Sequence, residues 1–522
     1  MKKQNPKNET GKNKLAPAFY PSILIIGSAA ILGICNNQLL VRIFKNIFNK
    51  SLDRLGWIYQ LMMLATFIIV TVITFSSKGR IRIGGKDAVP KYSFGSWFAM
   101  SLTGGIATGI IVYGVSEPMI YFQNIFGELE RTGIKPGTVE AGIFSLSRCF
   151  YNWSFIPYTT FALVGVLIAL LYFNYHQRLS VSSTLFPLFG KKVTGKFWER
   201  IIDTIAIIAI ALGLAGTLGS GMLLIQSGLE IQYSVTPSAL VLLGICVLFA
   251  IIYLTASVKG INNGIKRLAE WNTKIFYFLM LVVFLTGAKI FVCNLLTASL
   301  GSWGQNFLSW GLDPGLTGGE ALVKWWTLQN WCFYFCYAPM TGIFLAQISY
   351  GHTVREFMVV NWILPSVFTI IWFTIWGGNG IAMEMSHTAD ISQAIASSGA
   401  TAGLWEFLSH IPLGGLFIPI VLVTLVISFS TAADGLVTSI SSLCVKGLAI
   451  GQEAPIWLKV LWGASIAAIA FIMILYGNGE QGLEGIKYIG SVAGVVIFLL
   501  YILQILSALK LFFGKKPPQE DK

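Results

Sequence analysis

Along this chain the apolar residues neither alternate with polar ones nor keep to one face of a surface helix. They fall in unbroken blocks separated by short polar segments. Each block holds the roughly 20 residues needed to cross a hydrocarbon core about 30 Å thick. Twelve spans are predicted, at about 18–36, 57–77, 93–124, 139–175, 200–229, 235–257, 268–298, 325–350, 355–380, 411–446, 456–476 and 485–512. The expected fold class is therefore an all-α membrane protein. A soluble protein with one large buried core is the competing reading, but it has no use for so many blocks of this length. Two long connections, about 299–324 and 381–410, are expected as outer loops, each either covering a site or packing loosely on the surface.

Composition agrees with the pattern. Of 522 residues, 55% are hydrophobic and 11% charged, against about 25% charged in soluble domains. The net charge of +13 does not point to nucleic acid, because no basic stripe interleaved with aromatics lies on a soluble segment. Lys and Arg instead cluster in alternate loops, as in Lys78, Arg80, Arg82 and Lys86, in Arg178, Lys191 and Lys192, and in Lys259, Lys266 and Arg267. Basic loops stay inside, so both termini are expected in the cytoplasm and the protein in the plasma (inner) membrane. Arg42, Lys45, Lys50 and Arg54 in the first outer loop are the exception. The first apolar block reads as an uncleaved helix rather than a signal peptide. Seven cysteines and four histidines are scattered without metal-ligand spacing, and Cys332 and Cys336 lack a second ligand pair. No phosphate loop or nucleophile elbow occurs, so neither an enzyme nor a nucleotide-driven pump is expected, and no cofactor.

Two spans carry helix-breaking chemistry. The third has Gly104, Gly105 and Gly109, then Gly114, Glu117 and Pro118; the eighth has Ala338-Pro339 and Gly342. Freed backbone groups within lipid are tolerated where they line a cavity or meet a ligand. Spans 3 and 8 stand in corresponding places if spans 3–7 and 8–12 form two five-helix units of opposite topology, which points to a transporter site between them. Close glycine packing of helices is the plainer alternative. Aromatics gather in the same region. On a regular helix Trp153, Tyr158 and Phe161 fall within a face of about 140°, and Phe333, Tyr334 and Tyr337 within about 100°. Trp326 lies on the latter side, about 10 Å nearer the outer end, as an outer-vestibule residue. Ring faces hold a quaternary ammonium without demanding hydrogen bonds, although membrane-interface belts use the same residues.

The segments WFAM, GGIATG and YGVSEP in span 3, ALLYFNY closing span 4, GIFLAQISYGHTVREF in and after span 8, and STAADG in span 10 resemble the betaine/choline/carnitine transporter family. The resemblance covers nearly the whole hydrophobic chain. It implies a LeuT-type 5+5 inverted repeat preceded by two extra helices. The divisions are then a cytoplasmic tail at 1–17, the extra helices at 18–92, repeats at 93–298 and 325–512 joined by an outer connection at 299–324, and a tail at 513–522. It also implies a homotrimer and a small zwitterionic substrate of the glycine betaine or carnitine type. A different methylated amine, a dimethylsulfonium compound, or a transport-inactive membrane sensor is the alternative. The family's substrate box maps onto Trp153, Tyr158, Phe161, Phe333, Tyr334 and Tyr337, with Gly105, Ala107 and Gly109 from the glycine segment. Family members mostly have tryptophan in the box, which only Trp153 keeps here, and Ala107 replaces the middle glycine. Gly109 stands where choline carriers tend to have an aspartate, which favours a net-neutral substrate.

Ion coupling is less legible. Sodium-driven members use hydroxyls on spans 5 and 10. Here Thr431 is followed by Ala432, where serine is usual, and Thr217 and Ser220 are displaced from the expected pattern. Sodium coupling is left open, with substrate exchange favoured. Two acids lie within or beside the spans, where ionisable groups are functional candidates. Glu117 is expected to meet substrate or to pair with Lys or Arg, and Asp434 to make a packing hydrogen bond or hold an ion. Arg355 and Glu356 are expected as an ion pair of the inner loop.

Overall fold

The computed structural model describes residues 14–105, 107–193, 197–446, 448, 452–476 and 480–514. Among these residues regular structure is helical, with two isolated β-bridges and no strand. The helices are α1 (Phe19–Cys35), α2 (Asn37–Phe75), α3 (Phe94–Gly105), α4 (Ala107–Gln123), α5 (Val139–Trp153), α6 (Phe155–Phe173), α7 (Phe186–Phe189), α8 (Phe197–Tyr233), α9 (Ala239–Asn263), α10 (Ile265–Thr286) and α11 (Lys289–Gly311). Then follow α12 (Gln329–Ile348), α13 (Val354–Met358), α14 (Leu364–Met385), α15 (Ile391–Ser398), α16 (Ala400–His410), α17 (Gly414–Leu443), α18 (Ile456–Tyr476) and α19 (Glu480–Phe513). π-Helical turns, Glu320–Leu328 and Val359–Ile363, lead into α12 and α14.

Ten helical stretches among the described residues are long and apolar enough to cross a membrane. The chain is thus a multi-pass, all-α membrane protein. The other two expected spans are the 17-residue α1 and the stretch holding α3 and α4, within which Ile106 is not described. Burial separates centre from periphery. The stretch Val139–Phe173 is 94% buried over its most apolar window, whereas Ala239–Gly260 is 33% buried. Leu240, Leu243, Val247 and Ile251 of α9 are exposed, an apolar face suited to lipid.

The packing has a regular form. Helix α4 packs on α14, and α12 on α6; α3 packs on α10, and α12 on α19. Helix α9 packs on α17, and α18 on α8, while α8 and α17 pack on each other.

One end of the bundle is strapped by basic loops. Arg82 donates to the Gly351 carbonyl at 2.6 Å, and Asn174 to the Arg82 carbonyl at 2.9 Å. Arg178 reaches the carbonyls of Leu443 and Val445, and the backbone of Lys446 donates to Lys14. Gly351 sits in this strap with φ +85, where an added Cβ would lie 2.3 Å from the Val89 backbone. The expected Arg355–Glu356 pair is corrected. Arg355 donates to the carbonyls of Thr74 and Ser76, and Glu356 closes a capping box with Thr353.

Four further expectations change. The connection 299–324 is helical as far as Gly311 and again from Glu320, because its Trp, Phe and Leu residues continue α11. Span 7 is two helices, α10 and α11, parted at Gly287 and Ala288, where Asn379 accepts from the Ala288 backbone at 2.8 Å. The connection 381–410 contains α15 and α16, parted at Gly399 with φ +83. Span 8 is not broken. Helix α12 runs through Pro339 without interruption.

A candidate aromatic site

Span 3 is helical up to Gly105 in α3 and again from Ala107 in α4, and Ile106 between them lies outside the described residues. An interruption lies in span 4. Ser154, at φ −113 and ψ −118, separates α5 from α6, and Pro157 follows in the first turn of α6. The 140° face expected for Trp153, Tyr158 and Phe161 therefore does not apply, since Trp153 ends one helix and the other two belong to the next.

The break does not scatter these residues. Tyr334 of α12 stacks on Phe161 with ring centroids 5.0 Å apart. It meets Tyr158 edge-on at 5.8 Å and Trp153 at 6.3 Å. Trp153 also lies 5.6 Å from Tyr113 and 6.0 Å from Phe373. Gly109 makes room for it, because a Cβ there would come within 2.7 Å of the indole. The Tyr158 hydroxyl finds Thr369 at 2.9 Å, so its buried polar end is satisfied.

Other expected members lie elsewhere. Tyr337 turns to α8, where its hydroxyl donates to the Gly213 carbonyl at 2.8 Å and meets Thr217. Phe333, half-buried, makes no ring contact among the described residues. Trp326, in the π-helical turn, donates to Glu128 at 3.0 Å and meets Tyr113 and Tyr121 edge-on. Burial pushes the Glu128 carboxyl above its ordinary range, partly offset by hydrogen bonds from Phe126 and Trp326. Of the expected coupling residues, Thr431 is buried and bonds back to the Ile427 carbonyl at 2.7 Å, with Ala432 buried beside it. Asp434 accepts from Ser257 of α9.

Among the described residues Glu117 does not pair directly with Lys or Arg. It is 1% exposed and accepts from Trp153 Nε1 at 2.6 Å, Tyr121 at 2.7 Å and Asn152 at 3.0 Å. Sequence reasoning passed over Tyr121 and Asn152, the Trp153–Glu117 bond, and also Arg148, Tyr113 and Phe373. The spacing of Trp153 and Asn152, adjacent and at the end of a helix, was the available signal.

Comparison with known proteins now bears on the whole chain. A family model described as the betaine/carnitine/choline family transporter matches residues 17–516. The chain belongs to this transporter family. Among similar members, the ectoine/hydroxyectoine transporter of Virgibacillus pantothenticus is 27% identical over 90% of this chain and 91% of its own length. The probable glycine betaine transporter of Desulfitobacterium hafniense is 29% identical over 88% and 90%. The betaine/ectoine transporter LcoP of Corynebacterium glutamicum is 30% identical over 87% and 71%. Membership extends across both aromatic-bearing regions, α5–α6 and α12, and across α17.

Proposed function

We propose that the chain is a secondary transporter that moves a glycine betaine- or carnitine-type zwitterion across the plasma membrane by alternating access. The observation that carries this is the convergence of Trp153, Tyr158 and Phe161 with Tyr334 from a different helix. These rings offer π-faces to an onium group and leave a substrate carboxylate to polar neighbours. Admitting the onium head requires Tyr334 to leave its stack on Phe161, a movement that relative motion of α6 and α12 supplies. Family relatives bearing betaine and ectoine names support a small zwitterion as cargo.

The packing supports a 5+5 repeat. Taking α3/α4, α5/α6, α8, α9 and α10 as one unit and α12, α14, α17, α18 and α19 as the other, exchanging the units turns α4–α14 into α12–α6. The same exchange turns α3–α10 into α12–α19, and α9–α17 into α18–α8. Twelve crossings with both termini in the cytoplasm, assembly as a trimer, and exchange without a sodium gradient belong to the same reading. Ala432 beside Thr431 motivates the last.

Replacing Trp153 or Tyr334 with leucine tests the site. A desolvated cation–π contact is worth about 2 kcal/mol, or roughly thirty-fold in affinity. Each variant should lose that factor for betaine at unchanged protein yield, and the uncharged carbon isostere should bind poorly to the parent and lose little more. Parent-like betaine and carnitine binding in both variants overturns the site. Vesicle uptake should depend on internal substrate and persist when the sodium gradient is dissipated at constant voltage.

A further inference from the structure

Trp153 is the last residue of α5, and the backbone leaves helical geometry at Ser154. The helix therefore does not by itself fix its ring. Two neighbours on α4 do so. Gly109 admits the indole edge, and the Glu117 carboxylate receives the indole N–H at 2.6 Å. The same carboxylate receives Tyr121 and Asn152, so three donors from α4 and α5 converge on it.

Behind Asn152 runs a chain of donors in one sense. Arg148 donates to the Thr327 hydroxyl at 2.7 Å. Thr327 donates to the Asn152 side-chain oxygen Oδ1 at 2.9 Å, and the Asn152 side-chain Nδ2 donates to Glu117 at 3.0 Å. Hydrogen bonds ordered this way polarise one another. Arg148 is 1% exposed, lies 4.7 Å from the Trp310 ring and has no direct carboxylate partner among the described residues. A buried guanidinium without a counter-charge is costly. Asp313 and Glu117 supply the opposite charge, Glu117 from two hydrogen-bonded side chains away. The chain joins α4, α5 and the turn entering α12, the elements that meet around Trp153.

We propose that Glu117 is a positioning residue for Trp153, setting the indole face for the onium group with a charge balanced by Arg148 through Asn152 and Thr327. The proposal rests on the aromatic-site reading. An amide is not an equivalent substitute, because its NH2 confronts one of three donors.

The test uses the full chain in nanodiscs and radiolabelled glycine betaine. Three forms are compared with the parent: Glu117→Gln, a benzothienylalanine at position 153 that keeps the bicyclic face but has no N–H, and the two combined. Each single change should weaken betaine binding about tenfold, the scale of one charge-assisted hydrogen bond. The combined form should bind no worse than either single form, since both remove one interaction. Ultraviolet resonance Raman should show an indole N–H band displaced by Glu117→Gln and unmoved by that change when position 153 has no N–H. Parent-like affinity in Glu117→Gln, or losses that multiply, overturns the proposal.

If Glu117→Gln fails to fold, the charge-free pair Glu117→Gln with Arg148→Met takes its place. Parent-like betaine affinity in that pair also overturns the proposal. Trp153→Leu in the same assay separates the two claims. If it binds as the parent does, the aromatic-site reading fails, while the Raman band still judges the Glu117–indole bond.

Discussion

Spans 3 and 8 carry similar helix-breaking residues and use them differently. In span 3 Gly109 leaves space for the Trp153 ring. In span 8 the helix passes through Pro339 unbroken, and Gly342 lies against α6. A Cβ at Gly342 would come within 2.8 Å of Val164 and 3.1 Å of the Gly165 nitrogen. One glycine set thus shapes a ring contact and the other lets two backbones approach. Residue type does not distinguish them; the neighbour each faces does, an indole ring at Gly109 and the α6 backbone at Gly342.

The comparison predicts separable damage. Gly342→Leu forces a side chain between α12 and α6, which should cost about 3 kcal/mol, at the upper end of core overpacking. It should appear as a lower melting temperature of the purified protein, with betaine affinity of the folded fraction unchanged. A parent-like melting temperature would mean that the contact with α6 gives way freely.

Gly109→Ala should do the reverse. Its methyl displaces the Trp153 indole, so betaine affinity should fall about tenfold while the melting temperature stays within about 2 °C of the parent, the shift expected for well under 1 kcal/mol. If stability falls and affinity does not, Gly109 belongs with Gly342 as a packing glycine. Pro339→Ala is a milder change. It returns an N–H to an already continuous helix and should stabilise α12 by about 1 kcal/mol or less. A loss of transport there would assign a role to the carbonyl that Pro339 leaves free.

Much of this arrangement was legible from sequence because apolar block length is set by the membrane. The block positions, the long family-like motifs, and the meeting of Trp153, Tyr158, Phe161 and Tyr334 needed no coordinates to anticipate. Breaks were harder. Ser154 interrupts span 4 although no glycine marks it, since the residues before Pro157 disfavour regular helix only weakly by type. The part of helix α11 from residue 299 onward was read as loop because Gly301, Gly304 and the polar residues near them dilute its apolar pattern. The partners of Glu117 depend on which face each helix turns inward, and one sequence does not specify that. Phe333 and Tyr337 share a helix with Tyr334, but successive residues point in different directions, so their membership of one ring cluster was not decided by spacing alone.

The smallest predicted effect lies beyond the end of α12, in the strap that ties this span to the α2–α3 connection. His352 stacks on Trp97 with centroids 3.7 Å apart, is buried, and lies 3.7 Å from Glu356. Burial holds its pKa below the ordinary 6.5, Glu356 opposes that shift, and Arg82 adds to it. A histidine whose folded pKa is depressed favours the neutral form in the fold. The unfolded segment therefore takes up the proton more readily. The contribution of His352 to the strap is complete above about pH 6.5 and is lost as pH falls from there through the folded pKa. Backbone hydrogen exchange over 349–354, corrected for its intrinsic pH dependence, should show protection declining from pH 8 to pH 5. The decline should be absent in His352→Gln and absent from the Gly165–Gly342 contact in the parent. If His352→Gln retains it, another group governs the strap. If the whole of α12 loses protection together, the strap and the α6 contact form one cooperative unit, and the two ends of span 8 are not independent.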